Sequence, residues 1–168
     1  MEVLDQVVAA LVARLAGLSD IVDKACGLIR HFEGCRLIAY LDDGGTWTIG
    51  WGATFYPGGL AVEGGDTVSQ ERADAMLELL LEGVVGDVRQ MAPMTTPNQL
   101  AALCDFAYNL GVPALRTSTL LRLLRRGDVA GAAAQFPSWD HEHRDGQLVE
   151  VPGLLTRRRA ESALFLTA

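Results

Sequence analysis

One stretch of this sequence departs from helical periodicity, and it limits the chain to helices plus one small sheet lobe. In residues 46–52, TWTIGWG, the side chains alternate in twos. A short extended segment ending at Tyr40 and the turn signal Asp42-Asp43-Gly44-Gly45 precede them, which together predict a β-hairpin. The flanking segments read as helices. Ser19 is placed to cap one with Ile21, Ala25, Leu28, Ile29 and Phe32 on a single face. Gly34 suits its left-handed C-terminal cap, so Glu33 falls in the last turn. Ser69 opens a long helix with Ala73, Leu77, Leu80, Leu81, Val84, Val85 and Val88 on one face. Thr96-Pro97-Asn98-Gln99 is a capping box with proline in the first turn, and its helix runs to Gly111. Ser118 and Asp128 start two shorter helices, the polar run DHEHRDGQ (140–147) reads as a loop, and Pro152 opens the last helix. The expected class is α+β, mainly helical. Residues 20–68 form a hairpin lobe and 69–168 a helical lobe, joined by the helix from Ser69. Residues 1–19 form an added amphipathic helix.

Charge narrows the function. The net charge of −7 argues against a general nucleic-acid binder, which neutralises phosphates with Lys and Arg. Residues 113–168 are nonetheless mildly basic, through Arg122, Arg125, Arg126 and the run Arg157, Arg158, Arg159. A solvated helix face and contact with an anionic polymer are the two readings of those arginines. Cys26, Cys35 and Cys104 are odd in number and lack zinc spacing, so buried reduced thiols are expected rather than a disulfide framework. In the N-terminal segment, the uncharged run 6–13 stops at Arg14, short of the roughly 20 residues a spanning helix needs. Glu2 and Asp5 contradict a signal peptide, which leaves contact with a membrane surface as the lesser alternative for this helix.

The hairpin carries the chemistry. Trp47, Ile49 and Trp51 share the face that suits a core, while Thr48, Gly50 and Gly52 share the other. Glycines there would form a floor a bulky ligand can approach, with the Thr48 hydroxyl standing on it. Glu33 at a helix C-terminus, beside Phe32, is expected to favour its protonated form. Asp42 in an exposed glycine turn is expected to stay ionised. Two carboxyls in unlike surroundings suit glycosidic hydrolysis, one as general acid and one to steer water or attack. Solvated carboxylates at a helix end and in a turn are the plainer reading of the same residues.

Glu33-Gly34, Tyr40, Asp42 and Thr48-Ile49-Gly50-Trp51-Gly52 resemble the catalytic signature of the phage-type lysozymes, glycoside hydrolase family 24. Both spacings of that signature, Glu-x8-Asp-x5-Thr, match. FAYNLG (106–111), STLLRLL (118–124) and PGLLTRRRAE (152–161) resemble the family's helical lobe. The resemblance implies a lysozyme-like two-lobe fold and an endolysin muramidase cleaving the β-1,4 bond between N-acetylmuramic acid and N-acetylglucosamine, with inversion. Glu33 would be the acid, Asp42 would activate water, Thr48 would hold it, and Gly50, Gly52 and Asn109 would bind substrate. Asp43 is left as the turn former. No metal or cofactor is expected. The expected partner is the glycan of peptidoglycan, met by a monomer that waits in the cytoplasm of an infected bacterium until released to the wall. Many relatives carry histidine where this chain has Ala53, so an inter-lobe tie at that point would be missing. Two rivals remain: a non-catalytic peptidoglycan-binding module, and a zinc amidase using Asp140, His141, Glu142 and His143.

Overall fold

The computed structural model describes residues 2–42, 44–144 and 147–167. Helix α1 (Glu2–Phe32) leads into an antiparallel hairpin, β1 (Arg36–Leu41) and β2 (Trp47–Gly50). Helix α2 (Gln70–Met91) connects this lobe to α3 (Pro97–Leu110), α4 (Val112–Thr117), α5 (Thr119–Leu124) and α6 (Val129–Ala133). A 3-10 turn (Phe136–Trp139) and a second hairpin, β3 (His141–Arg144) and β4 (Gln147–Glu150), come before α7 (Pro152–Leu166). The α+β, mainly helical class and the two-lobe arrangement agree with expectation.

The helix starts follow their local signals. Ser69, Ser118 and Asp128 each accept a backbone N–H from the first turn. Thr96 and Gln99 close the reciprocal capping box at α3. Three local readings differ from the structure. Helix α1 does not start at Ser19 but runs through it, and the Ser19 hydroxyl lies 3.5 Å from Asp23 Oδ2 on the next turn. Residues 9–18 are mostly Ala, Leu, Val and Arg with no proline, so nothing there stops a helix. Gly34 is not left-handed. The chain leaves α1 after Phe32 and passes directly into extended backbone at β1. The polar run 140–147 is not a loop throughout, because β3 and β4 pair from His141↔Glu150 to Arg144↔Gln147. The overlooked signal is the Asp145-Gly146 dipeptide between the paired residues, a two-residue hairpin sequence.

Helix α3 is the axis of the core. Its residues Leu100 to Ala107 are almost wholly buried among α1, α2 and α7. Phe106 meets Phe136 and Trp139 edge-on at 5.8 and 5.2 Å, and Phe136 meets Phe165 at 5.5 Å. Cys26 and Cys104 are buried free thiols, as expected, and Cys35 is half-buried and free. A small second core of Ile49, Val62 and Met76 joins the first hairpin to α2.

That contact corrects the expected alternation of β2. Ile49 is fully buried, but Trp47 is 37% exposed and lies over the loop at Gly64. Gly50 is buried against α2, where a Cβ would stand 3.2 Å from the Cβ of Ala73. Its missing side chain lets helix and hairpin approach each other, so Gly50 supplies no open floor. The lobes are tied two residues before Ala53. The Trp51 indole donates to Asp74 Oδ1 at 2.7 Å, Gln70 and Arg30 reach the same oxygen at 3.2 and 3.3 Å, and the Tyr108 hydroxyl donates to the Trp51 carbonyl.

Gly50 has φ +63°, so a side chain would meet both backbone strain and Ala73. Gly50→Ala should lower stability by about 1–3 kcal/mol. Urea unfolding checks it, and an unchanged midpoint would contradict the packing described.

Candidate active site

Glu33 extends from the last turn of α1, its N–H bonded to the Ile29 carbonyl at 2.7 Å. Its carboxylate is one-third exposed and receives Arg157 Nη1 at 2.5 Å. Arg157 comes from α7 and is almost wholly buried. Its remaining donors fork onto Asp105 of α3, with Nε 3.0 Å from Oδ2 and Nη2 2.8 Å from Oδ1. Burial alone would lower the Arg157 guanidinium, but its bonds to Asp105 and Glu33 more than reverse this and hold it above the ordinary arginine value. Arg158 is buried too, 2.7 Å from Asn109 Oδ1 through Nη2. Neither of these arginines lies on a solvated face, and neither is free to meet an external polymer. They face inward because α7 packs on α3, which carries their acceptors Asp105 and Asn109.

Glu33, Gly52 and Asn109 line one open cleft of about 410 Å³ together with Trp51, Leu80, Val84, Ala107 and Tyr108. Gly52 sits at φ +108°, a backbone conformation that strains a side chain, and a Cβ there would lie a tight 3.1 Å from the Tyr108 hydroxyl. Burial first, and then the nearby Glu33 charge, push the Tyr108 phenol well above its usual range, so it remains a donor. Asn109 Oδ1 accepts from Arg158, which leaves the amide NH₂ as the end free to donate.

Asp42 and Thr48 form a second group on the hairpin. Asp42 Oδ1 accepts the N–H of Gly44 at 3.0 Å and of Thr46 at 2.8 Å. Its Oδ2 lies 3.4 Å from the Thr48 hydroxyl, which is also 3.1 Å from the Thr46 carbonyl. Thr48 has one proton for those two acceptors. At 4% exposure it does not stand on an open floor, because its hydroxyl turns back toward the Asp42 loop. Tyr40 pairs directly with Thr48 across the hairpin. The turn role expected of Asp43 falls on a residue outside those described. Asp42 itself takes the backbone N–H groups of the turn.

Sequence reasoning missed Arg157 and Asp105. A lone carboxylate in the apolar helix segment LAALCDFAYNL was the available signal, since a buried acid demands a cation. Among the described residues no group of three or more His, Cys, Asp or Glu side chains could hold a metal. His141 pairs with Asp140, while the side chains of Glu142 and His143 lie outside those described. No helix among the described residues is long and apolar enough to cross a membrane.

A mainly helical two-lobe fold, with a glutamate at a helix end facing a cleft and an aspartate on the adjoining hairpin, defines a glycoside hydrolase of lysozyme-like architecture. The family model described as phage lysozyme matches residues 30–161, and the chain belongs to that family. It is 39% identical over 149 residues to the endolysin of Acyrthosiphon pisum secondary endosymbiont phage 1, covering 88% of this chain and 99% of that one. The endolysin of Escherichia coli O157:H7 phage FAHEc1 superposes with a TM-score of 0.78 at 33% identity, over 85% of this chain and 90% of the other. The muramidase domain of SpmX from Asticaccaulis excentricus gives 0.76 at 33% identity, over 91% and 96%. The activity is accordingly of the phage muramidase type, with peptidoglycan as the substrate.

The two backbone bonds to Asp42 Oδ1 give a stability test. Asparagine keeps that oxygen, so Asp42→Asn should melt near wild type, whereas Asp42→Ala should lose about 1 kcal/mol. Equal melting temperatures for the two variants would show that the turn does not need the acceptor.

Proposed function

We propose that the chain hydrolyses the β-1,4 bond between N-acetylmuramic acid and N-acetylglucosamine with inversion at the anomeric carbon. Glu33 protonates the leaving glycosidic oxygen. As the proton departs, the new carboxylate is compensated at once by Arg157, which is already in contact with it. Asp42, oriented by two backbone N–H groups, takes a proton from the attacking water, and Thr48 helps hold that water. The new C–O bond forms on the face opposite the one that breaks. Gly52 lets the sugar approach the cleft wall, and Asn109 offers its NH₂ to a substrate oxygen. The observation that carries this reading is the oriented Glu33 in the cleft, held by a guanidinium that is itself fixed from behind. The endolysin relatives support a place of action at the wall of an infected bacterium, reached after release from its cytoplasm.

Glu33→Gln keeps the shape and cannot deliver a proton, so it should abolish clearing of chloroform-treated Gram-negative cells while remaining folded. Asp42→Asn should be nearly inactive as well. Wild-type clearing by a folded Glu33→Gln protein would refute the assignment of the acid.

Inverting sites leave space for water between the two carboxyls, and a threonine hydroxyl bonded to the aspartate suits that arrangement. Proton NMR of the first-formed reducing end should therefore show the α-anomer. A β-anomer would replace water attack with a covalent intermediate.

A further inference from the structure

Two neighbouring residues in the last turn of α3 line the cleft beside Glu33, and each has half of its hydrogen-bonding capacity fixed by another element. The Tyr108 hydroxyl meets the Trp51 carbonyl, which can only accept, so the phenol proton is committed to that bond. What remains at the Tyr108 oxygen is acceptor capacity. Asn109 is under the opposite constraint. Its side chain meets Arg158 Nη2 at 2.7 Å, and a guanidinium can only donate. The amide must therefore turn Oδ1 to the arginine, which leaves its NH₂ to be given elsewhere. Arg158 is fully buried and is held in turn at 2.9 Å from Glu161 of the same helix, so it stays behind the amide.

These bonds put an acceptor and a donor on adjacent residues of one wall, and Trp51, Leu80, Val84 and Ala107 add apolar surface to the same cleft. A secondary acetamide carries the complementary set: an N–H that donates, a carbonyl that accepts and a methyl group. We propose that Tyr108 and Asn109 are specificity-determining residues that read a 2-acetamido group of the substrate, whose N–H goes to the Tyr108 oxygen and whose carbonyl takes the Asn109 NH₂. This rests on the reading of the chain as a muramidase, since both sugars of its bond carry that group. A sugar with a bare amine at the same carbon offers no carbonyl and leaves the Asn109 NH₂ unpaired. The wall cannot adapt by reversing its polarity. A flipped Asn109 would set its NH₂ against Arg158, and a rotated phenol would set its lone pairs against the Trp51 carbonyl.

The test uses the full chain and two substrates: glycan strands freed of their stem peptides, and the same strands after chemical N-deacetylation. Wild type should prefer the acetylated strands by roughly tenfold or more in kcat/KM. Asn109→Asp keeps an oxygen for Arg158 and should stay folded, but it turns an acceptor toward the cleft. Its preference should vanish or reverse, chiefly through a higher KM for the acetylated strands. Any effect of the added charge on Glu33 acts on both substrates and cancels in the ratio. A folded Asn109→Asp protein with the wild-type preference overturns the proposal. Binding is followed by NMR with an N-acetylglucosamine trimer labelled with nitrogen-15 in its acetamido groups. In wild type the Asn109 NH₂ resonances and one sugar N–H should both shift. Tyr108→Phe should lose the sugar N–H shift and keep the Asn109 shift, a split that loosening of the Trp51 attachment alone would not produce. Wild-type Asn109 resonances that do not move, or that move only with a ligand bearing a stem peptide, overturn the proposal. If wild type leaves peptidoglycan intact, the muramidase reading fails, and the trimer titration alone then decides for or against the acetamide site.

Discussion

The Arg157 guanidinium, bound on one side to Asp105 and on the other to Glu33, is the interaction on which the rest of this structure depends. It joins residues 124 positions apart in the sequence and brings α1, α3 and α7 to one point. A cation buried this deeply is tolerated only because every donor it turns inward has an acceptor. Removing one member of such a set leaves an unpaired buried charge, at a cost of about 3–5 kcal/mol. The last helix is thus more than a cover over the core. It supplies the group that orients a carboxylate on the first helix.

The hairpin organises its chemistry differently. Asp42 is held by the backbone of its own turn, at separations of two and four residues, and needs no distant partner. One oxygen shapes the loop and the other faces the Thr48 hydroxyl. Local folding of the turn therefore sets the direction of the Asp42 carboxylate. The Glu33 side depends on packing between helices, whereas the Asp42 side depends on a tight loop.

This contrast explains what could be read from the sequence. Features fixed by neighbours along the chain were legible: the caps at Ser69, Thr96, Ser118 and Asp128, and the β1–β2 hairpin. The resemblance led to the family because its motif is likewise spaced along the chain. Features fixed by partners far away in sequence were not legible. Arg157 and Arg158 look like a surface basic run until α3 supplies Asp105 and Asn109. Gly50 reads as an open floor until Ala73 packs against it. The β3–β4 hairpin was hidden by polar composition, although Asp145-Gly146 announced it, and the continuity of α1 was hidden by a serine that resembled a cap.

The double attachment of Trp51 bears on how the enzyme can breathe. Its indole is fastened to α2 and its carbonyl to α3, so the first hairpin is pinned to the helical lobe at this residue. Were the hairpin to bend about this residue, its two ends would have unequal lever arms. Gly52 lies next to Trp51, while the turn carrying Asp42 lies at the far end of β2. Any bending of the hairpin about this residue would therefore displace the Asp42 carboxylate more than the cleft wall at Gly52.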